Sequence, residues 1–195
     1  MRIVHVAVAL SLITPAVAAG QQKPRNAIDR GSMLVGGSAS LSRTTIEDFS
    51  ETIISVAPEL LYFVRPGAAL GGAVGVSYSQ MQGGGSDWGW RVGPAVRWFF
   101  AQPDSVRKAL PFVGANVGLA GNRTDLGGGD NITGTGWTAE GSAGITWMVS
   151  RQVGLTGTLY LDHVSSKASS TLFPTSETTS ATNYGLRFGF DAFVF

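Results

Sequence analysis

The chain has 195 residues, enough for one domain and short for two, and it contains no cysteine. That absence excludes disulfides, thiolate metal sites, a thiol nucleophile and an acylated-cysteine anchor. Charged residues are only 14% of the chain and the net charge is +1, so no basic signal for nucleic acid is present. Glycine, at 27 residues, is well above ordinary usage.

The first element is an export signal. Arg2 supplies the positive start, Ile3 to Ile13 form a mostly apolar stretch, and Ala16-Val17-Ala18-Ala19 offers small residues for cleavage. The apolar part is shorter than the ~20 residues of a spanning helix. Residues 1–19 are therefore expected to be a signal peptide and 20–30 a polar periplasmic lead-in. Residues 31–195 follow as one barrel.

From there the sequence reads with period two, as strands do. Ser32 to Ser42 places Met33, Val35, Ala39 and Leu41 on one face. Ile53 to Val64 places Ile54, Val56, Leu60, Tyr62 and Val64 together, and Leu70 to Tyr78 does the same with Leu70, Val74, Val76 and Tyr78. Asp87 to Phe100 is the clearest segment. One parity carries Trp88, Trp90, Val92, Val96, Trp98 and Phe100; the other carries Asp87, Gly89, Arg91, Gly93, Ala95 and Arg97. Leu110 to Ala120, Thr135 to Val149, Gln152 to His163 and Asn183 to Val194 repeat the format. Strands in soluble proteins usually have five or six residues, which these exceed.

Eight strands is an even number, as a closed antiparallel membrane barrel requires. The connections alternate in length. Arg65-Pro66-Gly67, Ala101 to Ala109 and Ser150-Arg151 are short or moderate. Arg43 to Thr52, Ser79 to Ser86, Gly121 to Gly134 and Val164 to Thr182 are mostly longer and polar. Short periplasmic turns and long outer loops put both termini in the periplasm. Trp88 and Trp98 share a face ten residues apart, as do Trp137 and Trp147. Ten residues span ~33 Å, and a tilt of ~40° projects this to ~25 Å, the height of the apolar band between two aromatic girdles. The expected fold is all-β, an eight-stranded antiparallel up-and-down transmembrane barrel.

These features resemble the small eight-stranded outer-membrane proteins, such as outer membrane protein X and the transmembrane half of outer membrane protein A. The resemblance covers residues 31 to 195 and rests on architecture. It implies a place in the outer membrane as a monomer, with membrane lipid and lipopolysaccharide around it. It also implies that the terminal aromatics Phe193 and Phe195 address the chain to the barrel-assembly machinery. Asp191 and Arg187 share the parity of those phenylalanines while Phe188 and Phe190 do not, so a bulge near Asp191 is expected. Three prolines, Pro58, Pro94 and Pro111, fall inside strands that have no free edge for them. Pro111 is near a strand start and Pro58 suggests a bulge.

The inward parity holds Glu59, Arg91, Arg97, Glu140, Arg187 and Asp191, three of each sign. In so narrow a barrel these must be paired. They form either a structural polar core or the gate of a narrow ion channel. His163, the one histidine after the signal peptide, begins His163-Val164-Ser165 on the lipid-facing parity, with Glu177 twelve residues beyond Ser165. This is similar to the His-x-Ser of lipid A 3-O-deacylase barrels, in which histidine is the general base, serine the nucleophile and a glutamate orients the histidine. Here Ser166 and Lys167 follow, where that family has Asn and a small residue. The alternative is a rim histidine without a catalytic role. Asp125 and Gly127-Gly128-Gly129-Asp130 lack the ligand spacing of a calcium loop. No cofactor or metal is expected. The function expected is a non-enzymatic envelope or surface-interaction protein, with deacylase and channel as alternatives.

Overall fold

The computed structural model describes residues 26–46, 49–81, 85–100, 108–125, 131–170 and 177–195. The expected signal peptide and cleavage site, most of the expected lead-in and the segment Gly127-Gly128-Gly129-Asp130 lie outside these residues. Eight strands follow in chain order and close into an antiparallel barrel: β1 (Met33–Ile46), β2 (Phe49–Arg65), β3 (Ala68–Met81), β4 (Ser86–Phe99), β5 (Ala109–Asp125), β6 (Asn131–Met148), β7 (Val153–Ser170) and β8 (Glu177–Val194). Successive side chains alternate between the two faces of a strand, so one parity points outward and the other fills the interior. On β4, Trp88, Trp90, Val92, Val96 and Trp98 are exposed while Ala95 and Phe99 are buried. The same apolar outer face recurs around the barrel, through Leu60, Leu70, Leu119, Leu159 and Leu186.

The strands run further than the apolar alternation predicts. Three of the expected outer loops are largely ladder: Arg43 pairs with Thr52, Arg123 with Thr133, and Ser166 with Thr179. Serine and threonine on both faces erase the hydrophobic period, yet threonine favours a pleated strand and the ladder continues through it. At the opposite end, Gly67 turns the chain between β2 and β3 at φ 76°, a conformation that favours glycine.

Two expected bulges are absent. The β1–β8 and β7–β8 ladders pass Asp191 in unbroken register, because Asp191 and Phe193 both belong inside and Phe188 and Phe190 outside. Pro58 keeps register too; the β2–β3 ladder omits Ala57 and Pro58 and resumes at Glu59. Pro94 is accommodated in the same way. The β3–β4 ladder runs through it, paired with Gly72, and the β4–β5 ladder omits Gly93 and Pro94. Each missing N–H thus falls on one side of its strand only. A register shift occurs instead between Phe63 and Arg65.

The β1–β8 ladder joins Met33–Ala39 to Phe188–Val194 and stops there. The flanking ladders continue, β1–β2 as far as Ile46 with Phe49 and β7–β8 as far as Ala168 with Glu177. Among the described residues, these two strands each have a single neighbour beyond Ala39 and Phe188.

The apolar core lies inside the barrel at the end carrying the termini. Phe63, Phe99, Phe112 and Phe193 fill the cross-section with ring centroids 5.6 to 6.3 Å apart, packed with Leu34, Leu61 and Leu110. Residues 26–32 cap this end. Ile28 is buried, Gly31 donates to the Phe63 carbonyl at 2.9 Å, and Gly67 donates to the Ile28 carbonyl at 2.9 Å. Part of the expected lead-in is therefore a stopper.

Candidate functional site

Beyond the phenylalanine layer the interior becomes charged, and the six lumen residues named from the sequence fall into two clusters. In the first, Arg97 on β4 donates to Asp191 on β8 at 2.9 Å and also pairs with Glu59 on β2. Asp191 is fully buried and its Oδ2 further accepts from Thr146 at 2.7 Å and Thr156 at 2.6 Å. Among the described residues its Oδ1 has no hydrogen-bond partner, and it lies over Gly36. The Arg97 guanidinium also stands 4.3 Å from the Phe112 ring centroid, joining the charged layer to the apolar one.

In the second cluster, Glu140 on β6 accepts from Arg91 at 2.8 Å and from Arg187 at 2.7 Å through the same oxygen, Oε2. Arg91 crosses the interior over Gly75, where a Cβ would come within 2.5 Å of its Nε. Arg187 stacks on Tyr160 with 3.6 Å from guanidinium carbon to ring centroid. A seventh charge belongs here. Asp162 on β7 lies 3.7 Å from Arg91 and accepts from Thr138 at 2.7 Å. The parity rule that found the other six applies to Asp162 as well, since it alternates with the outward Leu159 and Leu161. With it, the two clusters hold four carboxylates against three guanidinium groups.

This arrangement binds its own charges to one another and leaves little room. A cavity of about 60 Å³ remains between the clusters, lined by Glu59, Arg91, Arg97, Glu140, Arg187 and Asp191 among others. That is space for a few waters. Buried charges in a low-dielectric interior need such compensation, and removing one partner costs far more than the pair contributes. Among the described residues no three histidine, cysteine or carboxylate side chains are grouped to hold a metal.

The outer-face candidates are less assembled. His163 is on the outward parity of β7; its Nδ1 is 3.0 Å from the Thr182 hydroxyl and its ring is 5.4 Å from that of Trp137. Ser165 stands two residues along the same strand, opposite Trp137 and Ser180, and no hydrogen bond joins it to His163 among the described residues. Glu177 registers with Ala168, five residues along β8 from Thr182. Five residues of strand are about 17 Å. The register therefore does not bring Glu177 to His163, and a threonine hydroxyl occupies the place of an orienting carboxylate. Trp88, Trp98, Trp137 and Trp147 are all exposed on the outer face. Phe193 is buried in the aromatic layer and Phe195 is half-buried against it.

No protein-family model matches the chain, and no curated protein matches it by sequence. Solved structures do match its architecture. The outer membrane protein OprG from Pseudomonas aeruginosa superposes with TM-score 0.57 at 11% identity, over 85% of this chain and 97% of that one. The E. coli outer membrane protein W superposes with TM-score 0.52 at 14% identity, over 84% and 98%. Neisserial surface protein A gives 0.50 at 17%, over 83% and 94%. The chain has the fold of the small outer-membrane β-barrels. In an outer-membrane barrel of this type the belt of outward leucine, valine and tryptophan is the surface that meets lipid.

Proposed function

We propose that this protein is an integral outer-membrane barrel that acts through its outer surfaces, in envelope integrity or surface interaction, and not through its lumen or by catalysis. The observation that carries this reading is the doubly blocked interior: a full layer of phenylalanines at one end, and two ion-paired clusters beyond it. Both termini face the periplasm in this reading, so the phenylalanine layer and the 26–32 cap close the periplasmic mouth. The Ser/Thr-rich extensions of β6, β7 and β8 form a polar wall beyond the belt, on the cell exterior. Assembly as a monomer, through recognition of the C-terminal strand, belongs to the same proposal.

Two measurements test it. The purified protein in planar bilayers gives no unitary conductance, and lipid A from cells producing it keeps its full acyl complement. Discrete openings would overturn the blocked lumen. Loss of a 3-hydroxyacyl chain, abolished by Ser165→Ala, would overturn the non-enzymatic reading in favour of the His163/Ser165 site.

A further inference from the structure

The end of the barrel that carries the termini is basic, and one of its cations has been turned toward lipid by the register shift in β2. Phe63 points inward opposite Ala69. Strand alternation would send Arg65, two residues on, inward as well. The shift instead sets Arg65 opposite Ala68, on the outward parity of β3 and paired in turn with Trp98. The guanidinium then lies over the Trp98 ring, 4.3 Å from its centroid. A bulge that re-aims one side chain is a recurrent use of such irregularities. Here it moves a cation out of the phenylalanine layer and onto an aromatic of the lipid-facing belt.

Three more exposed cations stand at this end among the described residues. Arg30 lies in the cap, Lys108 directly precedes Ala109 (the partner of Trp147), and Arg151 sits in the β6–β7 turn. None of the four is held in an ion pair among the described residues. The acidic side chain described at this end is Asp29, whose carboxylate accepts from the Asn26 amide at 2.9 Å. Trp98 thus carries a cation on its ring, and Lys108 stands one residue before the strand partner of Trp147, the other belt tryptophan nearest this end.

We infer that this basic collar binds the phosphate groups of anionic glycerophospholipids in the inner leaflet of the outer membrane. A cation stacked on an interfacial tryptophan is held at headgroup depth, where a phosphodiester and not a soluble anion is its neighbour. The leaflet assignment rests on the proposed periplasmic termini; the lipid chemistry does not.

The test uses the full chain with Trp88, Trp90 and Trp137 replaced by Phe, so that Trp98 and Trp147 report. In vesicles of brominated-chain phosphatidylglycerol and phosphatidylcholine, quenching should show about a fivefold preference for phosphatidylglycerol, the effect of about one basic residue beside a phosphate. The preference should fall toward unity in Arg65→Gln/Lys108→Gln and survive in Arg65→Lys. Equal quenching by both lipids, or a preference unchanged in the double variant, overturns the collar. A heat-modifiable gel shift confirms that each variant is folded. Both vesicle leaflets carry the same lipids, so insertion direction does not enter. Orientation is read separately, from Ser150→Cys and a membrane-impermeant maleimide on intact cells. Protection supports the inner-leaflet assignment, and labelling from outside overturns it.

Discussion

Arg97 and Asp191 are separated by 94 positions in the chain and meet at 2.9 Å inside the barrel. The contact spans β4 and β8, on opposite sides of the ring, so it forms only when the sheet has closed. It also joins three other groups: Glu59, Thr146 and Thr156 all converge on the same pair.

Asp191→Ala should therefore lose about 1–3 kcal/mol, the cost of leaving buried donors without their acceptor. Arg97 would keep Glu59, and the two threonine hydroxyls would lose their shared acceptor. Urea-induced unfolding from lipid vesicles measures this. A loss below 1 kcal/mol would show that the pair is hydrated and not buried.

Gly36→Ala acts on the same carboxylate from the other side. A Cβ there would overlap Asp191 Oδ1 and stand 3.0 Å from the Phe190 carbonyl oxygen. Forcing a methyl into such a site costs about 1–3 kcal/mol. The variant should lose its heat-modifiable gel shift at a lower temperature than the parent. Combination with Asp191→Ala should be less than additive, because the carboxylate that clashes is gone.

Glu140→Ala separates the structural and gating readings of the lumen. It leaves Arg91 and Arg187 without their shared acceptor and should destabilise the barrel by several kcal/mol. Planar-bilayer recordings should stay silent all the same, since the phenylalanine layer remains intact beyond the clusters. Unitary currents appearing in this variant alone would make Glu140 a gate.

Deleting Phe195 distinguishes folding from delivery. Its ring is only half-buried against the core, so refolding into vesicles should retain stability within about 1 kcal/mol. If the terminal aromatic addresses the chain for assembly, the amount in the outer membrane should drop severalfold in cells. Equal amounts would remove that role from Phe195.

The sequence showed the parts of the barrel that hydrophobic contrast marks. Trp88 to Phe100 declares its faces because one parity meets lipid and the other meets Arg91 and Arg97. The same contrast is missing from Thr178, Thr179 and Ser180, where both faces are polar, so the outer extensions read as loops. Lumen composition was legible by parity, Asp162 included. Partnership was not, because which guanidinium reaches which carboxylate depends on stagger between strands that no local pattern encodes. Arg65 was hidden for the opposite reason: the register shift breaks the parity rule by which every other side chain was placed. At Pro58 and Pro94 local propensity anticipated disorder in the ladder, and the structure absorbs each by leaving one flank unpaired while register holds.

The short β1–β8 ladder gives the barrel uneven mechanics. Below Ala39 and Phe188 the wall is a ring, and rings resist twisting. Above them it is a trough with two free lips, and an open profile is far more compliant than a closed one of equal thickness. Fewer backbone hydrogen bonds also hold the lips, so local opening is easiest there. The β5–β6 side is the reverse, with every residue from Ala109 to Asp125 paired without a gap. Anything pressing on the end away from the termini meets a stiff back and a yielding front, and deformation is steered toward the seam between the first and last strands.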